Sequence, residues 1–195
     1  MFSRPAVAFA LLAGILAAMA LPDPAVALSE KAAAPLKAGS HVILMRHEKT
    51  VSGVADPPGF KLGDCSTQRN LSDAGREDAR RFGETLRKNR IAIGRVLSSP
   101  WCRCIDTAKL ALPGTEPEPD PSLGSFVEIR DMDDRNAALE KMRATIAAWK
   151  GPGNLLMVSH QVTISALAGE ALPQGAILVV KPKPGGFDII AEDQP

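Results

Sequence analysis

Val42-Ile43-Leu44-Met45-Arg46-His47-Glu48-Lys49-Thr50 decides the fold. Four apolar residues run straight into an arginine and a histidine, the pattern of a buried strand that delivers charge to its carboxyl end. In open α/β sheets ligands bind at that end. An imidazole beside a guanidinium suits attack on a phosphoryl group, His47 supplying the lone pair and Arg46 neutralising the equatorial oxygens. An Arg-His pair alone also fits an ordinary turn after a strand, so the assignment depends on what the rest of the chain adds.

Two further stretches repeat the arrangement. Arg95-Val96-Leu97-Ser98 reads as a second strand, leading through Ser99-Pro100-Trp101-Cys102 to Arg103 on the first turn of a helix, with Pro100 fitting that first turn. Asn154-Leu155-Leu156-Met157-Val158-Ser159 reads as a third strand emptying into His160, and Val162, Ile164, Leu167 and Ala168 mark the helix that follows. Parallel strands bring all such ends to one edge, so Arg46, His47, Arg103 and His160 are expected in one site. Between these units, Ser72 is a natural N-cap for a helix ending near Asn89, with Ala79, Phe82 and Leu86 as its buried stripe. Val51 to Gln68, with Gly53, Pro57, Pro58, Gly59 and Gly63 and no period, is a long loop expected to fold over the site. Leu139, Met142, Ile146 and Trp149 predict a further helix, and Ala176 to Val180 with Phe187 to Ile190 a closing hairpin.

Upstream, Arg4, the apolar run from Ala6 to Leu21 and Ala25-Val26-Ala27 have the layout of a signal peptide over residues 1–27, cleaved after Ala27. The apolar run is short of a bilayer span, which takes roughly 20 residues, so no stable membrane span is expected after cleavage and the protein is expected to be periplasmic or secreted. Residues 28–40, rich in Ala, Lys and Pro, read as a poorly ordered mature leader, and 41–195 as one domain. A formal net charge of +1 and the absence of Tyr argue against a nucleic-acid-binding surface. Three cysteines, Cys65, Cys102 and Cys104, allow one intramolecular disulfide, from Cys65 to Cys102 or to Cys104, that would pin the loop beside Arg103. Their spacing does not fit a usual zinc motif.

Taken together, Leu44-Met45-Arg46-His47, Asn70-Leu71-Ser72-x-x-Gly75-Arg76, Ser98-Ser99-Pro100-x-x-Arg103-x-x-x-Thr107-Ala108 and Val158-Ser159-His160 resemble, in order, the motifs of the histidine phosphatase superfamily in its smaller, phosphoglycerate-mutase-like branch. The resemblance implies a three-layer α/β/α sandwich with a mostly parallel sheet, and a phosphomonoesterase that works through a phosphohistidine on His47. It further implies that Arg46 and Arg103 bind the phosphoryl oxygens, that His160 completes the pocket, and that neither a cofactor nor a metal is needed. Glu48 stands where the family usually has Gly. The general acid is unassigned, with Glu128 preferred among Glu128, Asp131, Asp133 and Asp134, and Arg69 and Lys49 are candidates for the pocket rim. The expected partner is a small phosphorylated substrate, with an envelope sugar phosphate suggested by analogy and compartment. The alternatives are a non-catalytic phosphate-binding or envelope scaffold protein of the same fold, and a metal hydrolase using His41, His47 and His160. The last is disfavoured because about six extended residues, some 20 Å, separate His41 from His47.

Overall fold

The computed structural model describes residues 28–129 and 131–195; the signal peptide expected over 1–27 lies outside the described residues. Six strands form one sheet in the order β3-β2-β4-β1-β5-β6. They are β1 (Val42–Arg46), β2 (Ile93–Ser98), β3 (Glu118–Pro119), β4 (Asn154–Ser159), β5 (Ile177–Lys183) and β6 (Gly186–Asp193). β1, β2, β3 and β4 run parallel to one another, while β5 and β6 add an antiparallel hairpin beside β1. The carboxyl ends of the four parallel strands therefore share one edge, as the sequence predicts.

Side chains alternate across the pleat, so each central strand feeds two cores. Ile43 and Met45 of β1, with Leu156 and Val158 of β4, pack into a cluster with Phe82, Leu86, Cys104 and Ala108. Val42 and Leu44, with Leu155 and Met157, pack into a second cluster with Met142, Ile146, Ile164 and Leu167. Helices α1 (Glu30–Ala38), α2 (Asp73–Lys88) and α3 (Cys102–Ala111) thus cover one face. Helices α4 (Met132–Ala148) and α5 (Gln161–Ala168) cover the other, completing three layers.

The structure corrects the reading of residues 28–40. They are not a poorly ordered leader: Ser29 accepts from the Ala32 N–H as an N-cap, and α1 places Leu28, Ala32, Ala33 and Leu36 in the first core. Pro35 inside α1 disguised this helix. Burial of its apolar side outweighs the hydrogen bond that a proline removes. Residues 28–40 accordingly belong to the folded unit together with 41–195. Three smaller corrections concern two helices and one strand start. Trp101 is the N-cap of α3, so Pro100 precedes the helix instead of sitting in its first turn. The buried residues of α5 are Thr163, Ile164 and Leu167, and Val162 is exposed. β2 begins two residues earlier than expected, at Ile93.

Of the two pairings left open for the cysteines, the structure shows Cys65 joined to Cys102, with Cys104 buried and free. The bridge ties the 51–68 loop to the first turn of α3, across a separation of 37 residues. Loop-closure entropy for a ring of this size corresponds to about 4 kcal/mol as an upper figure. Reduction, or a Cys65→Ala substitution, is expected to lower the thermal midpoint by about 8–15 °C. Thermal unfolding followed with and without a phosphine reductant measures it.

Candidate active site

Backbone geometry at the end of β1 aims the first histidine. The His47 N–H donates to the Ser159 carbonyl at 3.0 Å, and the Glu48 N–H donates to Thr107 Oγ1 at 3.1 Å. Thr107 in turn donates to the Arg103 carbonyl at 2.7 Å, so α3 and the β1 exit are fixed to each other. Gly75 permits this close approach: a Cβ there would collide with the Lys49 carbonyl oxygen, which is the physical requirement behind the glycine of the second motif. On the other side Gly175, at φ +81°, brings its N–H to the carbonyls of Arg46 and His47.

The imidazole of His47 is buried and lies edge-on to that of His160, with ring centroids 5.4 Å apart. His47 Nδ1 is 2.8 Å from the Glu48 carbonyl oxygen, which can only accept. Nδ1 therefore carries the proton and donates, leaving the Nε2 lone pair free. Burial, reinforced by the positive charges of Arg103, Arg46 and Arg69, pushes the His47 pKa down to about 3, against the raising effect of the Glu48 hydrogen bond. The ring is consequently neutral across the physiological range, with the Nε2 lone pair available. This main-chain carbonyl is the acceptor that sequence motifs could not identify.

His160 follows the same logic with the roles of its nitrogens exchanged. Arg103 Nη2, a donor only, faces its Nδ1 at 3.4 Å, so Nε2 carries the proton and donates to Ser99 Oγ at 2.8 Å. Trp101 packs edge-on against the ring at 5.3 Å, and Ser159 donates to the Leu123 carbonyl at 2.7 Å to hold the strand end. Burial first, then the neighbouring His47 and the arginines, lowers the His160 pKa well below the usual value.

Three guanidinium groups converge on this pair. Arg46 Nη1 donates to the Leu172 carbonyl at 2.8 Å. Arg103 Nη1 meets both carboxylate oxygens of Asp56 at 3.0 Å, in an ion pair of which the arginine side chain is 3% exposed. Asp56 Oδ1 also accepts from the Arg69 N–H at 2.8 Å. Arg46 and Arg69 have lowered pKa values, from burial first and then from repulsion by the neighbouring guanidinium groups. The Nε atoms of Arg46, Arg69 and Arg103 are all buried without a hydrogen-bond partner. Clustered cations with unfilled buried donors constitute an anion site.

The structure thus brings Arg46, His47, Arg103 and His160 together, and adds Arg69, Asp56 and Ser99. Arg69 is a rim candidate in the sequence; Ser99 lies within the third motif but has no role assigned by it, and Asp56 carries neither a periodic nor a motif signal. Lys49 instead pairs with Asp78 at 2.8 Å. Glu128 is exposed in a turn closed by its own N–H on the Ser125 carbonyl. Asp131 caps α4 by accepting from the N–H groups of Asp133 and Asp134, so three of the four acid candidates serve the start of that helix. His41 hydrogen-bonds the Gly39 carbonyl at the opposite end of β1 and does not join His47. No group of three His, Cys, Asp or Glu side chains with metal-site geometry occurs among the described residues.

Glu48 is buried beside Gly175, where a Cβ would come within 2.5 Å of its carboxylate. Burial, and after it the charge of Asp78, raises its pKa to about 7. Its folded pKa lies above the unfolded value, so its contribution to stability is present below about 4.5 and lost as pH rises through about 7. The two histidines have depressed folded pKa values, so their contribution is present above about 6.5 and lost as pH falls, for His47 down through about 3. Each group alone gives a slope of up to about 1.4 kcal/mol per pH unit. Between pH 4.5 and 6.5 Glu48 offsets one histidine. A Glu48→Gln variant is therefore expected to lose stability about twice as steeply as the native protein on going from pH 6.5 to 5, measured by urea denaturation at each pH.

Residues 42–126 match the family model for the histidine phosphatase superfamily (branch 1). No curated protein matches the chain. Among solved structures, the protein histidine phosphatase SixA complexed with tungstate has 23% identity and a TM-score of 0.56, covering 80% of this chain and 97% of its own. The alpha-ribazole phosphatase from Shigella flexneri has 17% identity and a TM-score of 0.57, covering 80% and 96%. A phosphoserine phosphatase variant from Entamoeba histolytica, in complex with phosphoserine, has 15% identity and a TM-score of 0.54, covering 78% and 96%. At these identities the structural likenesses establish the fold, and the family match covers the stretch that carries Arg46, His47 and Arg103. Residues 42–126 are thus similar to branch 1 of the histidine phosphatase superfamily, and the domain shares the fold of these solved phosphatases.

Proposed function

We propose that the protein is an exported phosphomonoesterase that forms a phosphohistidine on His47 and needs no metal. One observation carries the reading: a neutral histidine with a free Nε2 stands among the guanidinium groups of Arg46, Arg69 and Arg103, whose buried Nε donors have no partner. A phosphoryl dianion supplies the missing charge and acceptors together. His47 Nε2 attacks phosphorus, the bond to the leaving oxygen breaks with its electron pair going to that oxygen, which takes a proton from solvent water, and the arginines neutralise the equatorial oxygens through the transfer. Water then attacks phosphorus, releasing inorganic phosphate and restoring the imidazole. His160, held by Ser99 and Arg103, lies edge-on beside His47. The signal-like layout of residues 1–27 and the Cys65–Cys102 bridge support export. That compartment is the basis for an envelope sugar phosphate as a candidate substrate.

The test is a single-turnover reaction with a ³²P-labelled aryl phosphate in the presence of a chelator. The expected result is release of the alcohol with label retained on protein, stable to base and labile to acid, as a phosphorus–nitrogen bond is. Turnover without such an adduct, or activity lost to the chelator, would overturn the reading.

A further inference from the structure

We infer that the alcohol half of the substrate is apolar and lies in a groove beside His160, an inference that rests on the phosphatase reading above. The groove has a volume of about 400 Å³ and is walled by Phe126 and Val127, by Met132, Asn136 and Leu139 of α4, and by Val162 and Ala166 of α5. That volume suits a small-molecule pocket, for which roughly 300–1,000 Å³ is usual. Its mouth is unusually apolar for a surface: Val127 is 63% exposed, Met132 61% and Val162 40%.

Position ties the groove to the site. Its walls come from the segment after β3 and from the first turns of α4 and α5, all on the edge where β1, β2 and β4 present Arg46, His47, Arg103 and His160. Val162 lies two residues beyond His160. Contacts run without a gap between them: His160 packs on Trp101, Trp101 packs against Gly124 so closely that a Cβ there would meet its ring at 3.0 Å, and Gly124 accepts from the Thr163 hydroxyl at 2.6 Å. Thr163 Oγ1 then accepts from the Phe126 N–H at 3.3 Å, which fixes the groove wall to α5.

The charge of the groove also selects its occupant. Its one guanidinium, Arg135, donates to the Ile129 and Phe126 carbonyls, so its donors brace the wall and are not offered to a second anion. Besides Arg135 the lining holds one polar side chain, Asn136, so most of a sugar's hydroxyls would lie without partners against Val127, Met132 and Val162, whereas an aryl or alkyl group buries apolar area there. The geometry therefore favours an aryl or alkyl phosphomonoester over the sugar phosphate that export alone would suggest.

The test compares 1-naphthyl phosphate with glycerol 3-phosphate on the native protein and on a Val127→Asn/Val162→Asn variant. Both positions are exposed, so the fold tolerates the change. The native protein is expected to prefer the naphthyl ester in kcat/KM, and the variant to lower that preference about tenfold or more, through KM. A native preference for the glycerol ester, or a ratio unchanged in the variant, would overturn the inference. If neither ester is turned over, the phosphatase reading fails separately. Titration of both esters into His47→Ala protein then decides the groove: tighter naphthyl binding that weakens in the triple variant supports it, and equal binding overturns it. A protein partner as the occupant would show as equal affinity for the two esters.

Discussion

A His47→Ala protein is expected to lose hydrolysis of an aryl phosphate by at least on the order of 10³-fold in kcat, and to form no acid-labile phosphoprotein. The size of the effect follows from what remains. Arg46, Arg69 and Arg103 still bind the phosphoryl group, so KM changes little, but no lone pair lies behind phosphorus and water must attack in a site shaped to exclude it. Folding is not at stake to the same degree. The side chain makes one hydrogen bond, to the Glu48 carbonyl, and its burial as a neutral ring costs stability at acid pH. The variant should therefore keep its denaturation midpoint near neutrality and gain relative to the native protein below pH 6. Added imidazole, small enough to enter the space left behind, is expected to restore part of the rate. Retention of full activity by His47→Ala would show that another group attacks, and would remove the phosphohistidine from the reaction.

The contrast between what was legible in the sequence and what was not has a physical basis. Arg46, His47, Arg103 and His160 could be located because each sits where an apolar run ends or the helix after it begins, and strand polarity then forces the ends together. The two cores follow from the same alternation, Ile43 and Met45 to one side and Val42 and Leu44 to the other. Asp56 was invisible because a loop has no period, and nothing local distinguishes it from Asp64, which only caps the turn at Cys65–Thr67. The tautomer of His47 was invisible for a different reason: a main-chain carbonyl sets it, and main chain has no letter in a sequence. α1 was misjudged because composition was weighed without the partner surface, the β6 side of the sheet and the Phe82 cluster, that makes its apolar stripe worth burying. Glu48, which departs from the resembling motif, proves compatible with the core of the site. Its side chain turns away from the histidines toward Gly175, and only its carbonyl serves His47.

Replacing Arg103 by Met is expected to cost both turnover and stability, and a second substitution separates the two. Asp56 is 12% exposed at its side chain and its oxygens meet Arg103 Nη1, with one of them also held by the Arg69 N–H. Removing the guanidinium leaves that carboxylate buried with a single backbone donor, a loss of about 3–5 kcal/mol for a broken buried pair. Turnover should fall by about 10²–10³-fold, the usual effect of deleting one donor to a developing anionic charge. In an Arg103→Met/Asp56→Asn protein the stranded charge is gone, so most of the stability should return while the rate stays low. Asp56→Asn alone keeps an oxygen to accept from Arg103 and Arg69 but no longer anchors the guanidinium with two oxygens. Its expected signature is a rise in KM of about tenfold with the fold intact, because the arginine that receives the phosphoryl group is less well oriented. Denaturant midpoints and steady-state kinetics on the four proteins of this cycle measure both couplings. Recovery of turnover along with stability in the double variant would show that Arg103 holds the loop and does not bind the phosphoryl group. Loss of turnover that survives the recovery assigns the charge to the reaction.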